Sequence, residues 1–423
     1  MDAPRTVAAG RTASPTTARL INDRLALQLL QSEGALTAGQ LKTLTGLSRP
    51  TVADLVERLQ EAGLIAVVGE SGAQRRGPNA RLYGIVADRA HLVGLDLRTH
   101  SVTVAVADLL GEVRAERTVP IGRDDTPDTA VAAALAGLDK ALAAAGAPHP
   151  HTIAVGAPGL VDPATGRLGG TDWIPSWHVA LVGELRARRA VPVLLENEVN
   201  LAAIAEQRDG AARDHDTFVL LWLGHGTGAA VVLDGTLRRG ASGGTGEIGF
   251  LPVPGTAALP SASGCDGGFH SLAGSAAICA LAAQHGLPAE AVAGPAAADA
   301  PSPDTDTDAP PAEAVVRAAV AAGDAGAAFL DALAARIALG VAAVCAVLDP
   351  GCVVLGGEIG SGGGEELAGR VAGHLARLSP LRTDVRAGAL GGRAVLRGAV
   401  LAARDAAQNE LFPPGGPGVS SRP

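Results

Sequence analysis

The same succession of strands and turns occurs twice between residues 91 and 239. Each copy consists of a strand, a polar or glycine turn, a second strand, another turn and a third strand. The strands are His91–Leu97, Val102–Asp108 and Glu112–Val119 in the first copy, and Thr217–Leu223, Ala229–Leu233 and Thr236–Arg239 in the second. Two such copies predict a duplicated α/β body with a cleft between its halves. The glycine turn Gly224–Gly228 is of a kind that binds phosphate through backbone N–H groups.

Residues 20–86 have a different pattern, which predicts three short helices followed by a hairpin. The first helix covers Asn22–Gln31, Thr37 and Gln40 form a capping box that starts the second, and Ser48 caps the third. A core-facing position is expected for the apolar residues at helical spacing, which are Leu25, Leu29, Leu30, Leu41, Leu44, Val52, Leu55, Val56 and Leu59. This arrangement is typical of a helix-turn-helix.

The third helix and the hairpin carry the predicted contacts with double-stranded DNA. Two strands, Leu64–Val68 and Arg81–Val86, flank a loop with a basic tip, as in the wing of a winged helix-turn-helix. The N-terminal end of the third helix would enter the major groove. The predicted DNA-binding residues are Thr37, Ser48, Arg49, Thr51, Asp54, Arg58, Arg75, Arg76 and Arg81. The alternative is a three-helix protein-interaction module with an ordinary solvated face.

Charge and cysteine usage agree with a cytoplasmic protein that meets DNA through its head alone. The net charge is −9, but residues 1–84 carry ten Lys and Arg against seven Asp and Glu, so the head is mildly basic and the remainder acidic. The four cysteines have no CxxC spacing, which favours free thiols in a reducing compartment. No signal peptide is predicted, because the first 20 residues lack an apolar core, and no membrane span is predicted, because Asp349 and Pro350 interrupt the apolar runs near residues 341–355.

Further motifs follow one another along the body. They are Gly156–Gly159, Val161–Gly166, Trp173–Trp177, Val191–Asn200, Gly240–Gly249 and Leu348–Gly357. In this order they resemble the ROK family of repressors, uncharacterised frames and sugar kinases, and the resemblance covers about residues 91–405. It implies an actin/hexokinase-like fold, and the winged head matches the repressor branch. The expected fold class is therefore α/β, with an N-terminal winged helix-turn-helix followed by a duplicated actin/hexokinase-like body.

The resemblance also shows where this chain departs from a sugar kinase. Family kinases have glycines in the first phosphate loop, where this chain has Arg98 and Thr99, and side chains there would keep backbone from phosphate. Their catalytic base is the Asp of a Glu-Asn-Asp motif, which here reads Glu196-Asn197-Glu198. A base displaced by about 1 Å loses on the order of a hundredfold in rate. We therefore expect no catalytic residue, a degenerate base position at Glu198, and no ATP as cofactor.

The zinc site implied by the resemblance is also altered. Its cysteine positions align with Ser261, Ser263 and Gly268, its histidine position with Phe250, and Cys265 is out of register. No metal is therefore expected.

The residues expected to bind a sugar or sugar-phosphate effector are Gly159, Ser176, Asn197, Glu198, Glu247 and His270. The alternative is a degenerate cleft without a small-molecule ligand.

The function expected is a homodimeric, or dimer-of-dimers, DNA-binding repressor of carbohydrate-related genes that responds to an effector. Two alternatives remain, an active sugar kinase of this family and a regulator controlled by a protein partner. The predicted organisation is a disordered arm (1–18), a winged helix-turn-helix (19–88), a first lobe (89–210), a second lobe (211–410) with an acidic Pro-rich insertion (294–312), and a disordered tail (411–423).

Overall fold

The computed structural model describes residues 15–71, 80–169, 174–261, 264, 266–287 and 309–412. Predictions outside these ranges concern the arm up to residue 14, Arg75 and Arg76 of the wing, Ser263 and Cys265, and most of the insertion and tail. Contacts divide the chain into two compact units. One comprises residues 1–92, 107–113 and 404–423, and the other comprises residues 93–106 and 114–403.

The first unit contains a winged helix-turn-helix. Its elements are α1 (Pro15–Glu33), β1 (Leu36–Thr37), α2 (Ala38–Thr45), α3 (Arg49–Glu61), β2 (Ile65–Ser71) and β3 (Ala80–Ile85). The strands form an antiparallel sheet in the order β1-β3-β2. β2 and β3 pair from Ile65 opposite Ile85 to Ser71 opposite Ala80, so they form the wing hairpin. The three predicted helices and the hairpin are confirmed.

Side chains cap the second and third helices, as their sequences predict. Thr37 Oγ1 accepts a hydrogen bond from the backbone N–H of Gln40 at 3.2 Å, and Gln40 Oε1 accepts one from the N–H of Thr37 at 2.9 Å. Ser48 Oγ accepts one from the N–H of Thr51 at 3.3 Å at the start of α3. These bonds satisfy N–H groups that the first turn of a helix leaves without backbone partners.

The predicted core-facing surface of α1 is partly wrong. Ala26 and Leu27 are fully buried, whereas Leu25 is 38% exposed. On α2, Leu41 is buried but Leu44 is 50% exposed. Five of the six residues from 25 to 30 are apolar, so periodicity alone leaves the rotation of α1 about its axis undetermined. Packing against the neighbouring elements selects the face.

Two predicted irregular segments are helical at one end. α1 begins at Pro15, inside the predicted disordered arm 1–18. The helix α9 (Pro311–Ala321) begins inside the predicted insertion 294–312. Both helices have a proline in their first turn, where its missing N–H has no backbone partner to lose. The proline-rich composition of both segments concealed these helix starts.

The body consists of two α/β lobes that follow one another along the chain. The elements from residue 91 to residue 197 are β4 (His91–Leu97), β5 (Ser101–Asp108), β6 (Val113–Pro120), α4 (Pro127–Ala144), β7 (Thr152–Ala157), α5 (Ser176–Arg188) and β8 (Val193–Asn197). The elements that follow are α6 (Glu198–Asp209), β9 (Phe218–Leu223), β10 (Thr227–Leu233), β11 (Thr236–Arg238), α7 (His270–Ala273), α8 (Ser275–Gln284), α9, α10 (Asp324–Leu348), β12 (Cys352–Gly356), α11 (Gly357–Leu378), β13 (Asp384–Ala387) and α12 (Ala394–Leu411).

The two sheets of the body have the same strand order. The first is β6-β5-β4-β7-β8 and the second is β11-β10-β9-β12-β13. In each, the third, second and first strands of the lobe are followed by the fourth and fifth. The last pairing of each sheet, β7 with β8 and β12 with β13, is parallel. The duplicated architecture predicted from the repeated strand pattern is confirmed.

Each lobe has its own hydrophobic core. In the first, the buried faces of α4 and α5 cover the sheet through residues such as Leu138 and Leu181. In the second, α10 packs Leu333 and Ile337 into the core beside Phe269. Among the described residues, α10 is the one helix long and apolar enough to cross a membrane, but 44% of its apolar window is buried inside the protein. The apolar residues of α10 are explained by its packing in the core of the second lobe.

Candidate functional site

The start of α3 presents an exposed polar surface. Ser48 and Arg49 are exposed, and so is Asp54 one turn further along the helix. Ser48 Oγ lies 2.8 Å from Thr51 Oγ1, so the two hydroxyl groups share a hydrogen bond at the helix N-terminus. The N-terminus of a helix attracts phosphate through its N–H groups and its dipole. Arg49 adds a positive charge to this surface.

Arg58, one of the predicted DNA-binding residues, forms a bidentate ion pair within the head. Its Nη2 donates to Asp23 Oδ1 at 2.6 Å and its Nε to Asp23 Oδ2 at 3.2 Å, which joins α3 to α1. Asp23 is buried, and its carboxylate raises the pKa of Arg58. A contact between Arg58 and DNA would have to share or break this bidentate pair. The structure therefore gives Arg58 a part in the packing of the head.

Thr37 and Arg81 occupy contrasting places in the head. Thr37 is buried, and both its hydroxyl group and its backbone N–H bond to Gln40, so its main contribution is the start of α2. Arg81 is exposed at the beginning of β3, opposite Glu70 of β2. It therefore lies on the stem of the wing. Arg75 and Arg76 lie outside the described residues.

In the body, Asn197 connects β8, α6 and the loop around Gly159. Its Nδ2 donates to the carbonyl oxygen of Gly159 at 3.0 Å. Its Oδ1 accepts from the N–H groups of Val199 and Asn200 at 2.8 and 3.2 Å and thereby caps α6. Gly159 has a φ of 99°, and a Cβ there would lie 2.2 Å from Cδ1 of Ile174. Asn197 thus holds this loop in place, and Gly159 contributes backbone.

Glu198 is the first residue of α6, directly after Asn197. It is half-buried, and no hydrogen bond to its carboxyl group is seen among the described residues. Its removal from bulk water, together with the nearby carboxylates of Asp96, Glu358 and Glu247, raises the pKa of Glu198 to about 8, although Arg98 opposes this shift. Glu198 therefore holds its proton at neutral pH and can donate a hydrogen bond.

Arg98 is at the centre of a buried ion network that its sequence position alone does not reveal. Its Nε donates to Asp96 Oδ2 at 3.1 Å, its Nη1 donates to Glu358 Oε1, and its Nη2 donates to the carbonyl oxygen of Gly392 at 3.3 Å. The carbonyl oxygen of Arg98 lies 3.0 Å from Nε2 of the fully buried His178. Side chains of Asp96 and Glu358 are 7% and 8% exposed. The network joins the β4–β5 turn to the start of α11.

Glu358 and His178 are the residues that sequence reasoning missed. The only local signal for Glu358 is its position directly after Gly356 and Gly357, at the end of a buried strand. Its carboxylate lies close to the second glycine turn as well, because a Cβ at Gly224 would lie 3.1 Å from Glu358 Oε2. The carboxylate of Glu358 therefore lies between the two turns in which the family resemblance implies phosphate binding.

The remaining predicted effector residues surround this network less closely. His270 begins α7, and a Cβ at Gly226 would lie 3.9 Å from its ring, so it borders the second glycine turn. Ser176 is exposed at the start of α5, two residues before His178. Glu247 is exposed and near enough for its charge to act on Glu198. No ligand contact follows from these positions alone.

Glu196 and Glu206 are carboxylates whose hydrogen bonds hold the surroundings of Asn197 and Arg98 in place. Glu196 pairs with Arg239 Nε at 2.6 Å and accepts from Asn200 Nδ2 at 2.9 Å. The buried Glu206 accepts from the N–H groups of Ala211, Ala389 and Leu390 at 2.7, 3.1 and 2.9 Å. Glu206 thereby holds the connection between β13 and α12, in which Gly392 accepts the bond from Arg98.

The position of the family zinc site does not fit a zinc ion. Phe250 and Ser261 occupy two of the ligand positions, and neither supplies a thiolate or an imidazole. Among the described residues there is no group of three or more His, Cys, Asp or Glu that could hold a metal. Ser263 and Cys265 lie outside the described residues, so the absence of a metal stays a prediction.

Comparison with known proteins identifies the body. The sequence model of the ROK family matches residues 92–406. The chain belongs to the ROK family. A MarR family model matches residues 22–77, which covers most of α1, all of α2 and α3 and part of the wing. The family and the two-part architecture predicted from the sequence are thereby confirmed.

One curated relative and two solved structures illustrate what this ROK protein is similar to. The DNA-binding transcriptional dual regulator NagC of Escherichia coli (strain K12) is 27% identical over 237 residues, which cover 55% of this chain and 57% of NagC. The matched part is thus less than two thirds of that relative. The crystal structure of a ROK family transcriptional regulator homologous to the E. coli MLC protein is 22% identical with a TM-score of 0.70, covering 94% of this chain and 98% of that one.

A ROK family glucokinase from Streptomyces griseus, solved in complex with glucose and AMPPNP, is 26% identical with a TM-score of 0.60. It covers 74% of this chain and 99% of its own. The likeness to the regulator thus extends over nearly the whole chain, whereas the likeness to the kinase covers three quarters of it. The regulator shares the fold of this chain.

Proposed function

We propose that this ROK protein is a DNA-binding transcriptional repressor of carbohydrate-related genes. The observation that carries the proposal is the presence, in one chain, of a winged helix-turn-helix and a ROK body. The exposed start of α3, with Arg49 and Asp54, is the surface we assign to the major groove. The acidic body would contribute no affinity for DNA, so binding depends on the head. Such a regulator acts in the cytoplasm.

We propose further that the body senses a small-molecule effector and does not phosphorylate it. Glu198 stands where family kinases have an Asp as base, and its side chain is one methylene longer, which would displace the carboxyl group from the position that a base needs. Arg98 has a side chain where a phosphate loop needs bare backbone, and its guanidinium is bonded to Asp96 and Glu358. Measuring ATP-dependent phosphorylation of a panel of hexoses and pentoses tests this. Turnover of any sugar at a rate usual for a kinase would contradict it.

A homodimer, or a dimer of dimers, is part of the proposal. Winged helix-turn-helix proteins bind paired half-sites about one helical turn apart, so two heads in one assembly gain both affinity and sequence selectivity. An effector that changes the spacing of the heads would alter operator affinity through this geometry. Light scattering after gel filtration measures the assembly directly. A strict monomer would contradict this part of the proposal.

Mapping of bound DNA across the genome, followed by anisotropy titrations on the recovered fragments, tests the DNA-binding function. Arg49→Ala is expected to weaken binding by about 1–3 kcal/mol if Arg49 contacts a base edge. Arg89→Ala is the matched control, because Arg89 is also an exposed arginine and follows the wing, outside α3. Failure of the full chain to bind any recovered fragment at moderate salt would contradict the proposed function.

A further inference from the structure

A carboxylate of the protein itself lies where a bound phosphate would be expected. The two turns that follow β4 and β9 are the places where the fold would hold phosphate groups. Glu358 reaches both of them, through its ion pair with Arg98 and through its close approach to Gly224. It is 8% exposed, so its charge is removed from water and is compensated by Arg98.

The charge of Arg98 is already paired with two carboxylates of the protein, Asp96 and Glu358. All three of its guanidinium nitrogens donate hydrogen bonds, to Asp96, to Glu358 and to the carbonyl oxygen of Gly392. An incoming phosphate would have to displace a carboxylate that is already held in place by folding. Since the internal carboxylate is always present at the site, it competes at a high effective concentration.

The surrounding charges also oppose an anion. The carboxyl groups of Asp96, Glu358 and Glu247 are all close enough to raise the pKa of Glu198, and Arg98 opposes this shift. A ligand phosphate at this position would add to a surplus of negative charge. In a site partly shielded from water, repulsion of this kind is strong.

We propose that Glu358 acts as an internal substitute for a phosphate group, and that the cleft therefore admits unphosphorylated sugars and excludes sugar phosphates and nucleotides. This proposal rests on the proposed function, because it specifies the chemical class of the effector. It narrows the effector from a sugar or sugar phosphate to an unphosphorylated sugar. It also explains how this ROK protein would bind a sugar without binding ATP.

The test uses the full chain and calorimetric titration with inorganic pyrophosphate, ATP, and two pairs of ligands, glucose with glucose 6-phosphate and N-acetylglucosamine with its 6-phosphate. The wild-type protein is expected to show no saturable binding of pyrophosphate, ATP or either sugar phosphate in the millimolar range. Glu358→Ala is expected to gain saturable pyrophosphate binding, because it opens the site and releases one side of Arg98. A Kd at least about tenfold below the highest concentration tested on the wild type is the gain expected. Glu366→Ala, which removes an exposed carboxylate from the same helix, is the control and should behave as wild type.

Binding of any phosphorylated probe by the wild type would overturn the proposal, and so would a folded Glu358→Ala variant without a gain in pyrophosphate binding. If Glu358→Ala does not fold, Glu358→Gln takes its place, because it keeps the volume of the side chain and removes only its charge. The same gain in pyrophosphate binding is then expected of Glu358→Gln, and its absence overturns the proposal. Anisotropy titrations of the same proteins with DNA separate the two proposals. Retained DNA binding alongside wild-type binding of a sugar phosphate would reject the inference and leave the proposed function intact.

Discussion

The two lobes repeat one strand order, yet the turns after their first strands differ in character. In the first lobe the turn carries Arg98, whose side chain forms ion pairs with Asp96 and Glu358. In the second lobe the turn from Gly224 to Gly228 contains three glycines and folds back on itself, with the N–H of Gly224 donating to the carbonyl oxygen of Gly226 at 3.0 Å. The shared topology determines where the turns lie. The side chains then determine whether a turn binds a ligand or another part of the protein.

The comparison implies that the first turn is held by charge, so removal of that charge should have the largest effect. Arg98→Ala leaves the buried carboxylates of Asp96 and Glu358 without their cation, and we expect a loss of about 3–5 kcal/mol in the free energy of unfolding. Urea unfolding followed by tryptophan fluorescence measures this for the body, because all three tryptophans lie there. Arg188→Ala, which breaks an exposed pair with Glu184, should cost no more than about 0.5 kcal/mol. Equal losses in the two variants would show that the network contributes no more than a surface pair.

A second effect depends on pH and concerns Glu198 beside the first turn. A carboxyl group whose pKa is raised to about 8 in the folded state keeps a proton that the unfolded state has already released. The free energy of unfolding therefore falls as pH rises from about 4.5 to about 8. Glu198→Gln removes this dependence, so its stability relative to wild type should increase by about 2–3 kcal/mol between pH 6 and pH 9. If the free energies of unfolding of Glu198→Gln and the wild type differ by the same amount at every pH in this range, the raised pKa of Glu198 is contradicted.

The smallest effect separates two glycines of the second turn. A Cβ at Gly224 would lie 2.8 Å from Nε1 of Trp222 and 3.1 Å from Glu358, whereas a Cβ at Gly226 meets nothing closer than 3.9 Å. Gly224→Ala should cost about 1–2 kcal/mol in the free energy of unfolding, and Gly226→Ala well under about 1 kcal/mol. Thermal unfolding of both variants checks this. A larger loss for Gly226→Ala would mean that the turn, rather than the neighbouring side chains, requires glycine.

Local sequence patterns were sufficient to predict the helices and wing of the head and the strands of the body. The caps at Thr37 and Ser48 depend on residues no more than three positions away, and the repeated strands depend on runs of apolar residues. The sequence also indicated that Glu198 and Arg98 depart from a kinase. The rotation of α1 was not predictable, because a nearly continuous apolar run from Leu25 to Leu30 has no single helical phase.

The roles of charged residues required the tertiary structure. Arg58 is a basic residue on the helix predicted to bind DNA, but the fold places its side chain against Asp23, which is 35 residues away in the sequence. Glu206 looks like one more acidic residue of a helix, yet it accepts three backbone hydrogen bonds, two of them from residues 389 and 390. In each case the partner is distant along the chain, and no local pattern identifies it.

The sequence alone was enough to establish the family, the winged head and the duplicated body, because helix caps, apolar periodicity and ordered motifs are properties of short segments. The ion pair between Arg98 and Glu358 is visible only in the folded chain, because the two residues are 260 positions apart in the sequence. Such a pair depends on how two sheets and the turns at their ends meet in space. The physical reason is that charges act over distance in three dimensions, whereas the sequence records distance along the chain.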